Sequence, residues 1–237
     1  MRSFGIFDVE YLLRMTSETL VLTLIAFIGG AIGGIVLALC RTSPLRSLRV
    51  VSSAYIQLLQ ATPLLMLLFC IYFGLSIIGF NLPALVAASI GLTLYASAFL
   101  GEVWRGAIQA IPRQQWEAAS SLALTLMQQR IYVVFPQAIR AAIPPTVGFL
   151  VQILKNTSVT SIIGFVELTR GAALVNNSTF EPFKVFGTVA IIYFGLCFPL
   201  ALLSRRLEKR LNGSGRSKGR LKELRFNPGA EGRLAGG

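Results

Sequence analysis

Long apolar runs separated by short polar stretches dominate this chain, and they predict helices that cross a membrane. A spanning helix needs about 20 predominantly apolar residues, and five such runs occur, at residues 19–40, 51–78, 83–103, 137–154 and 185–203. A proline inside a run removes a backbone donor and bends the helix. We therefore expect a kink at Pro63 in the second span and a break at Pro144 and Pro145 in the fourth.

The first span carries no charge but contains two overlapping pairs of glycines, at positions 29 and 33 and at positions 30 and 34. Small residues four positions apart let the backbone of a neighbouring helix approach closely. We therefore predict that this face of the first span packs against another span.

Charged residues fall mainly in the gaps between the runs, and their sign predicts the orientation of the chain. Arginines follow the first span and populate the stretch between the third and fourth, whereas the turn at 79–83 has none. Because basic residues are retained in the cytoplasm, we place residues 104–136 and the C-terminus inside and the N-terminus outside. Residues 1–18 are expected along the outer membrane surface, and the basic, Gly-rich residues 208–237 are expected to form a disordered tail.

Composition agrees with a membrane protein and argues against a nucleic-acid-binding one. Charged residues make up 14% of the chain, against about a quarter in a soluble domain. The net charge is +12, and ten of the basic residues lie between Arg205 and Arg233, after the last span. The chain has no His, so Cys40, Cys70 and Cys197 are expected to pack in apolar surroundings, and we predict no metal site and no cofactor.

Residues 114–140 interrupt the apolar pattern with a polar, amphipathic stretch. Its apolar residues recur at three- and four-residue spacing, which predicts two short helices on the cytoplasmic surface, joined near residues 127–130. Periodicity alone leaves two alternatives open: a helix that rests on lipid headgroups, and a helix that docks on another protein. Its polar face is weakly charged, with Glu117, Ser120, Ser121 and Gln128, and this favours docking into a groove.

Within this stretch, "EAASSLALTLMQQRIYVVFP" resembles the EAA loop of permease subunits of bacterial ATP-binding-cassette importers. Glu117, Ala118, Ala119 and Pro136 match the pattern of that loop. Ala123 stands where the family prefers Gly, and Ala favours a continued helix where Gly would permit a sharp bend. The resemblance implies that Glu117, Ala118, Ala119, Ala123 and Pro136 couple the chain to an ATPase, with Glu117 orienting the contact. The alternative role of Glu117 is a favourable charge in the first turn of a helix.

Three further segments are similar to the polar amino acid branch of that family, and they follow in the family's order. They read "QATPLLMLLFCIYFGL" at 60–75, "GEVWRGAIQAIPRQQWEAA" at 101–119 and "LKNTSVTSIIGFVEL" at 154–168. The resemblance implies an all-α, five-helix transmembrane domain over 19–207 in the inner membrane, with a periplasmic N-terminus and short cytoplasmic coupling helices between spans three and four. It also implies partners: two cytoplasmic ATPase subunits, a second permease subunit (the same or a homologous chain) and a periplasmic amino-acid-binding protein.

Polar residues inside or at the end of the spans are candidates for the substrate pathway, because such groups are costly at membrane depth. They are Gln57, Gln60 and Thr62 on the second span and Lys155, Asn156, Thr157 and Ser158 at the end of the fourth. For the second group, helix capping is an equal alternative. Glu102 and Arg105 are three positions apart and are expected to pair on one helix face.

Other classes of membrane protein fit the sequence less well. The chain has no G-x-x-x-x-G-K-[ST] motif, so we expect ATP hydrolysis on another polypeptide rather than an enzyme here. An ion-coupled secondary transporter or channel subunit remains the alternative function, although no internal repeat and no midplane carboxylate supports it. A membrane-embedded enzyme would need a catalytic constellation that the spans do not contain.

Overall fold

The structure, a computed structural model, describes the backbone of residues 2–226 and the side chains of residues 2–211, and within that range it contains helices but no β-strand. Two π-helical segments, Cys70–Gly74 and Gln129–Val134, and one 3-10 helix, Thr157–Ile163, join some of the α-helices. The α-helices are α1 (Ile6–Arg41), α2 (Arg46–Ala61), α3 (Leu64–Phe69), α4 (Leu75–Ile77), α5 (Ala84–Gln109), α6 (Arg113–Ser121), α7 (Leu126–Gln128), α8 (Phe135–Asn156), α9 (Leu168–Thr179) and α10 (Pro182–Phe226).

Four helical segments are long and apolar enough to cross a membrane, and a bent pair of helices provides a possible fifth crossing. The four segments coincide with the first, third, fourth and fifth predicted spans. The prediction of an all-helical, multi-span protein is therefore confirmed. The segments are Ile6–Arg41, Ala84–Gln109, Leu126–Ile163 and Pro182–Leu211, and the bent pair is Arg46–Ala61 with Leu64–Ile77.

The second predicted span consists of two helices that meet at a sharp bend, rather than one kinked helix. The two halves of the run at 51–78 meet at an angle of 103°. Pro63 disfavours the helical conformation at the residue before it, and Thr62 is accordingly extended, with φ −90° and ψ 128°. The Thr62 hydroxyl donates to the carbonyl of Leu58 at 2.8 Å, which closes the end of α2. Our expectation of one kinked helix is wrong at this position.

The expected break at Pro144 and Pro145 does not occur, since both prolines lie inside the continuous helix α8. Two prolines remove only two backbone donors, and α8 is held from outside by its contacts with α5 and α10. One of these contacts involves the prolines directly: the Ser204 hydroxyl of α10 donates to the Pro144 carbonyl at 2.8 Å. Tertiary packing therefore outweighs the local preference for a break.

The N-terminal residues do not form a separate surface segment, because α1 is one helix from Ile6 to Arg41. At 1.5 Å per residue its length is about 54 Å, longer than the hydrocarbon core. Leu12 is fully buried against Leu168 and Ala172 of α9, so this part of α1 is packed against protein. The helix therefore begins before the predicted start of the first span at residue 19, and the assignment of residues 1–18 to the periplasmic membrane surface stays a prediction.

At the other end, α10 continues as a helix to Phe226, well past the predicted start of the tail at residue 208. The last part of that predicted tail, residues 227–237, lies outside the described residues. The disorder of the tail stays a prediction.

The core of the fold is the contact between α1 and α5, which is the most extensive between any two helices of the described residues. It forms along the glycines of the first span, as predicted. A Cβ atom added at Gly30 would lie 2.4 Å from the Cβ of Ala96, and one at Gly33 would lie 2.8 Å from the Cβ of Ser97. Only a residue without a side chain allows the two backbones to approach this closely.

Candidate functional site

The polar interruption of the sequence forms the exposed helix α6 and a turn that leads into α8. Helix α6 begins directly after Pro112 and has no acidic residue in its first turn. Arg113, its first residue, forms an ion pair with Glu117 one turn further along, with Nε and Oε1 3.3 Å apart. The Glu117 side chain is 65% exposed and that of Arg113 is 90% exposed. An ion pair this exposed adds little to the stability of the fold, so the Glu117 carboxylate is available to a partner.

The turn lies at residues 122–125, not near 127–130 where the spacing of apolar residues predicts it. Ala123 has φ 56°, in the left-handed region, and its N–H donates to the Ser120 carbonyl at 2.9 Å. Our expectation that Ala123 continues the helix is therefore wrong. An alanine in this conformation costs about 1–2 kcal/mol. Hydrogen bonds within the surrounding loop offset this cost.

Gln129, in the turn that follows, makes two of these hydrogen bonds. Its side-chain amide is buried and donates to the Leu124 carbonyl at 2.8 Å and to the Ser120 hydroxyl at 3.2 Å. Thr125 then starts the next helix: its N–H donates to Gln128 Oε1 at 2.9 Å, and its hydroxyl accepts from the Gln128 N–H at 3.4 Å. This reciprocal cap fixes where the chain leaves the turn.

Beyond the turn there is no second separate short helix. Helix α7 passes through the wide turn Gln129–Val134 directly into α8, so that the loop is joined rigidly to a span. Pro136 is the second residue of α8, which follows directly after the turn Gln129–Val134. The loop is thus one short helix plus the extended start of the fourth span.

The motif residues do not all face outward. Ala119 is only 3% exposed, and α6 packs on the turn Gln129–Val134 at this level. Its small side chain therefore permits close packing within the chain itself. Glu117, Ala118, Ala123 and Pro136 are exposed.

A group of large apolar side chains lies beside Glu117 on the surface of this loop. Leu122 is 74% exposed, Leu126 is 70% exposed and Met127 is 65% exposed, and no part of the described chain covers them. We call Glu117, Ala118, Leu122, Leu126 and Met127 the coupling face. Leu122 and Leu126 belong to the apolar residues whose three- and four-residue spacing predicts helices in this stretch, and both are exposed in the isolated chain.

A side-chain hydrogen bond connects α6 to the start of α8. The side-chain amide of Gln137 in α8 donates to Gln115 Oε1 of α6 at 3.3 Å. At the end of α5, Arg105 Nε donates to Glu102 Oε2 at 2.8 Å, which confirms the predicted pair. Arg41 of α1 lies 4.0 Å from the same carboxylate.

The candidate pathway residues fall into two groups that border the same helix. Gln57 and Gln60 are exposed on α2, and Thr62 precedes α3. The turn Thr157–Ile163, which contains Thr157 and Ser158, packs against α3. The structure therefore brings the surroundings of both groups together.

Within the second pathway group, two of the four side chains donate hydrogen bonds to backbone carbonyls of α8. The Thr157 hydroxyl donates to the Leu154 carbonyl at 2.8 Å and the Ser158 hydroxyl donates to the Lys155 carbonyl at 2.7 Å. Thr157 is fully buried, whereas Lys155 is exposed. Asn156 accepts from the Gln152 amide at 3.1 Å. Lys155 and Asn156 are thus the members with polar groups left for a ligand.

Sequence reasoning missed one buried carboxylate, Glu167, at the start of α9. It accepts from the N–H groups of Thr169 and Arg170, both at 2.9 Å, and from the Tyr193 hydroxyl at 3.1 Å. The Thr19 hydroxyl of α1 lies 3.5 Å away. Burial raises the pKa of Glu167, and the two backbone donors partly oppose that rise. A carboxylate residue directly before the first residue of α9, in the N-cap position, was the available signal.

No group of three or more His, Cys, Asp or Glu side chains suited to a metal ion occurs in the part of the chain that the structure describes. Cys197 is buried beside Val151 and Leu154, in agreement with a packing role. Cys70 is exposed, so for this residue the expected burial is wrong in the isolated chain.

Comparison with known proteins identifies the family. A family model described as binding-protein-dependent transport system inner membrane component matches residues 11–213. Two relatives come from Bacillus subtilis (strain 168). The probable amino-acid ABC transporter permease protein YckA is 33% identical over 200 residues, covering 84% of this chain and 88% of the relative. The probable glutamine ABC transporter permease protein GlnM is 35% identical over 197 residues, covering 83% of this chain and 91% of the relative.

Solved structures agree with this assignment. The crystal structure of an amino acid ABC transporter with histidines matches with a TM-score of 0.83 at 33% identity, covering 89% of this chain and all of that one. The inward-facing MetNI methionine ABC transporter matches with a TM-score of 0.72 at 21% identity, covering 88% and 99% of the two chains, and shows the fold alone. This chain, with its several apolar helices, belongs to the family of inner membrane components of binding-protein-dependent transport systems and is a multi-pass permease subunit of that membrane.

Proposed function

We propose that this permease moves an amino acid across the inner membrane and is driven by a separate ATPase that docks on the coupling face. The exposed loop carries the proposal: a carboxylate, Glu117, lies beside three large apolar side chains that nothing in the described chain covers. Interfaces between proteins combine an apolar centre with charged groups at the rim. The names of the relatives, which refer to amino acids and to glutamine, support the substrate class.

The proposed topology has five spans, with the bent pair α2 and α3–α4 counted as one crossing. The N-terminus is then periplasmic and α6 is cytoplasmic, which agrees with the arginines at the ends of α1 and α5. A reporter active only in the cytoplasm should give a signal when fused near Gln114 and none when fused near Asn81 or Asn177. A cytoplasmic signal from Asn177 would contradict the five-span arrangement.

The proposed assembly contains two permease subunits, this chain with a second copy or a homologue, and two cytoplasmic ATPase subunits. A periplasmic amino-acid-binding protein delivers the substrate, in keeping with the family's dependence on binding proteins. The ion-coupled secondary transporter and channel alternatives have no support from a relative.

The proposed mechanism uses the rigid connections of the loop. Helix α6 is tied to α8 by the Gln115–Gln137 hydrogen bond and by the packing of Ala119. A displacement of the coupling face is therefore passed to α8, and through the contacts of α8 to α5 and α10. Such rigid-body shifts of packed helices can switch the pathway between two discrete states.

We place the substrate pathway along α3, between Gln57, Gln60 and Thr62 on one side and Lys155, Asn156, Thr157 and Ser158 on the other. Lys155 and Asn156 suit the carboxylate and the polar groups of an amino acid. If this placement is correct, Asn156→Ala should lower the rate of uptake while leaving the amount of assembled transporter unchanged.

The decisive experiment reverses the charge of Glu117. Because the side chain is exposed, Glu117→Lys should leave the amount of permease in the membrane unchanged, but co-purification of the ATPase should fall about tenfold or more. Glu208→Lys is the matched control, since Glu208 is also exposed and lies on the same side of the membrane in the proposed topology. Normal ATPase retention and uptake in Glu117→Lys would refute the docking role of the coupling face.

A further inference from the structure

Two neighbouring grooves lie where α1 and α5 end and α8 begins. One, of about 630 Å³, is lined by α1, α5 and α8. The other, of about 740 Å³, is lined by the ends of α1 and α5, the loop before α2, and α6–α7 with the turn that follows. Leu39, Ile108 and Phe135 line both. The two therefore form one continuous depression, which we call the inner groove.

One end of the inner groove is strongly basic. Arg41, Arg49 and Arg130 line it, and no carboxylate does. Among the described residues, the side chain of Arg130 has no hydrogen bond or ion pair, and the Nε of Arg41 is buried without an acceptor. Glu102 lies 4.0 Å from Arg41 but is already bound by Arg105. This end of the groove therefore has positive charge and N–H groups left for an anion.

The other end of the inner groove is apolar and has the length of one membrane leaflet. Along α8 it extends from Phe135 to Val147, which is about 18 Å at 1.5 Å per residue. Half of a typical hydrocarbon core is about 15 Å. The lining side chains in between include Ile35, Ala38, Ile139, Ala142 and Ile143.

We propose that the inner groove binds an anionic phospholipid of the surrounding membrane. The phosphate lies among Arg41, Arg49 and Arg130, and one acyl chain lies along α8. Basic pockets between spans on the cytoplasmic side suit such headgroups, and Trp116, which lines the basic end, is of the residue type enriched at the membrane surface. An acidic segment of a partner protein would neutralise the arginines but would leave the apolar part empty.

The inference uses the cytoplasmic side assigned to α6 above, but a lipid measurement tests it independently of transport. The full chain is purified in neutral detergent, titrated with phosphatidylglycerol or phosphatidylcholine, and examined by native mass spectrometry. We expect phosphatidylglycerol to bind in preference to phosphatidylcholine. In the double variant Arg49→Gln, Arg130→Gln its affinity should fall about twentyfold, at roughly a factor of five per arginine.

Arg140→Gln is the matched control for charge, because Arg140 is an exposed arginine of α8 outside the groove. It should bind phosphatidylglycerol as the unaltered chain does. Equal affinity for the two lipids, or an equal loss in Arg140→Gln and the double variant, would overturn the proposal.

A second pair of variants tests the acyl chain and separates a lipid from a free anion or an acidic protein. Ala142→Phe fills the apolar part and should weaken phosphatidylglycerol while leaving the arginines in place. Ile139→Ser acts in the same direction at a side chain that is 61% exposed, so folding is preserved. Inorganic phosphate that displaces the lipid at equal concentration would refute the proposal. So would a double arginine variant that loses its ATPase but keeps phosphatidylglycerol.

Discussion

Helix α1 lies against α5 along small side chains, whereas the turn after α6 and helix α7 lie on the surface with large apolar side chains exposed. In the first region a Cβ at Gly30 would meet Ala96 at 2.4 Å; in the second, Leu122 is 74% exposed. Both regions carry a motif readable in the sequence. The first motif serves packing within the chain, and we propose that the second serves contact with another chain. Mutations should therefore separate the two regions by their effect on folding.

The largest loss of stability is expected for Gly30→Leu. The new side chain would collide with the backbone and Cβ of Ala96 and Ser97, and overpacking of this kind costs about 3 kcal/mol. The amount of protein in the membrane and its melting temperature in detergent should both fall. Gly195→Leu in α10 is the control, since nothing lies within 4 Å of a Cβ at that position, and a comparable loss there would contradict the packing explanation.

The second largest loss of stability is expected for Glu167→Ala, because this change leaves buried donors on α9 and α10 without an acceptor. The free energy of unfolding should fall by about 2 kcal/mol. Glu167→Gln retains one acceptor oxygen, and because burial raises the pKa of Glu167, loss of the charge is tolerated better than loss of the side chain. Melting temperatures that are equally low in the two variants would show that the charge itself is required.

Leu122→Asp should affect assembly and leave the fold intact. The side chain is exposed in the isolated chain, so its stability should change by less than about 0.5 kcal/mol. A buried carboxylate at an apolar contact should reduce co-purification of the ATPase about tenfold. Leu122→Met, which keeps the position apolar, serves as the control. A melting temperature that drops together with assembly would place Leu122 in the fold rather than on the coupling face.

The smallest expected effect is a gain in stability. Ala123→Gly removes the strain of an alanine at φ 56° and should stabilise the chain by about 0.5–1 kcal/mol. The same change at Ala118, inside the helix α6, should destabilise it by about 0.5–1 kcal/mol. Melting temperatures of the two variants should therefore move in opposite directions, and a shift of the same sign in both would contradict the left-handed turn.

The length of the apolar runs and the spacing of nearby residues predicted much of the fold from the sequence alone. Four of the predicted spans, the close approach along the glycines and the pair of Glu102 with Arg105 follow from properties of neighbouring residues. The coupling loop was also located by its motif, although the bend within it was placed about five residues too late. Local signals suffice there because a helix forms among residues close in sequence.

Only the tertiary structure decided where these elements turn and which faces they bury. The 103° corner at Thr62, the left-handed Ala123 and the inward position of Ala119 depend on neighbours that local spacing does not identify. The contact of Glu167 with Thr19 joins residues 148 positions apart. Such contacts form because packing and buried hydrogen bonds outweigh local preference, and they connect parts of the chain that no sequence window contains together.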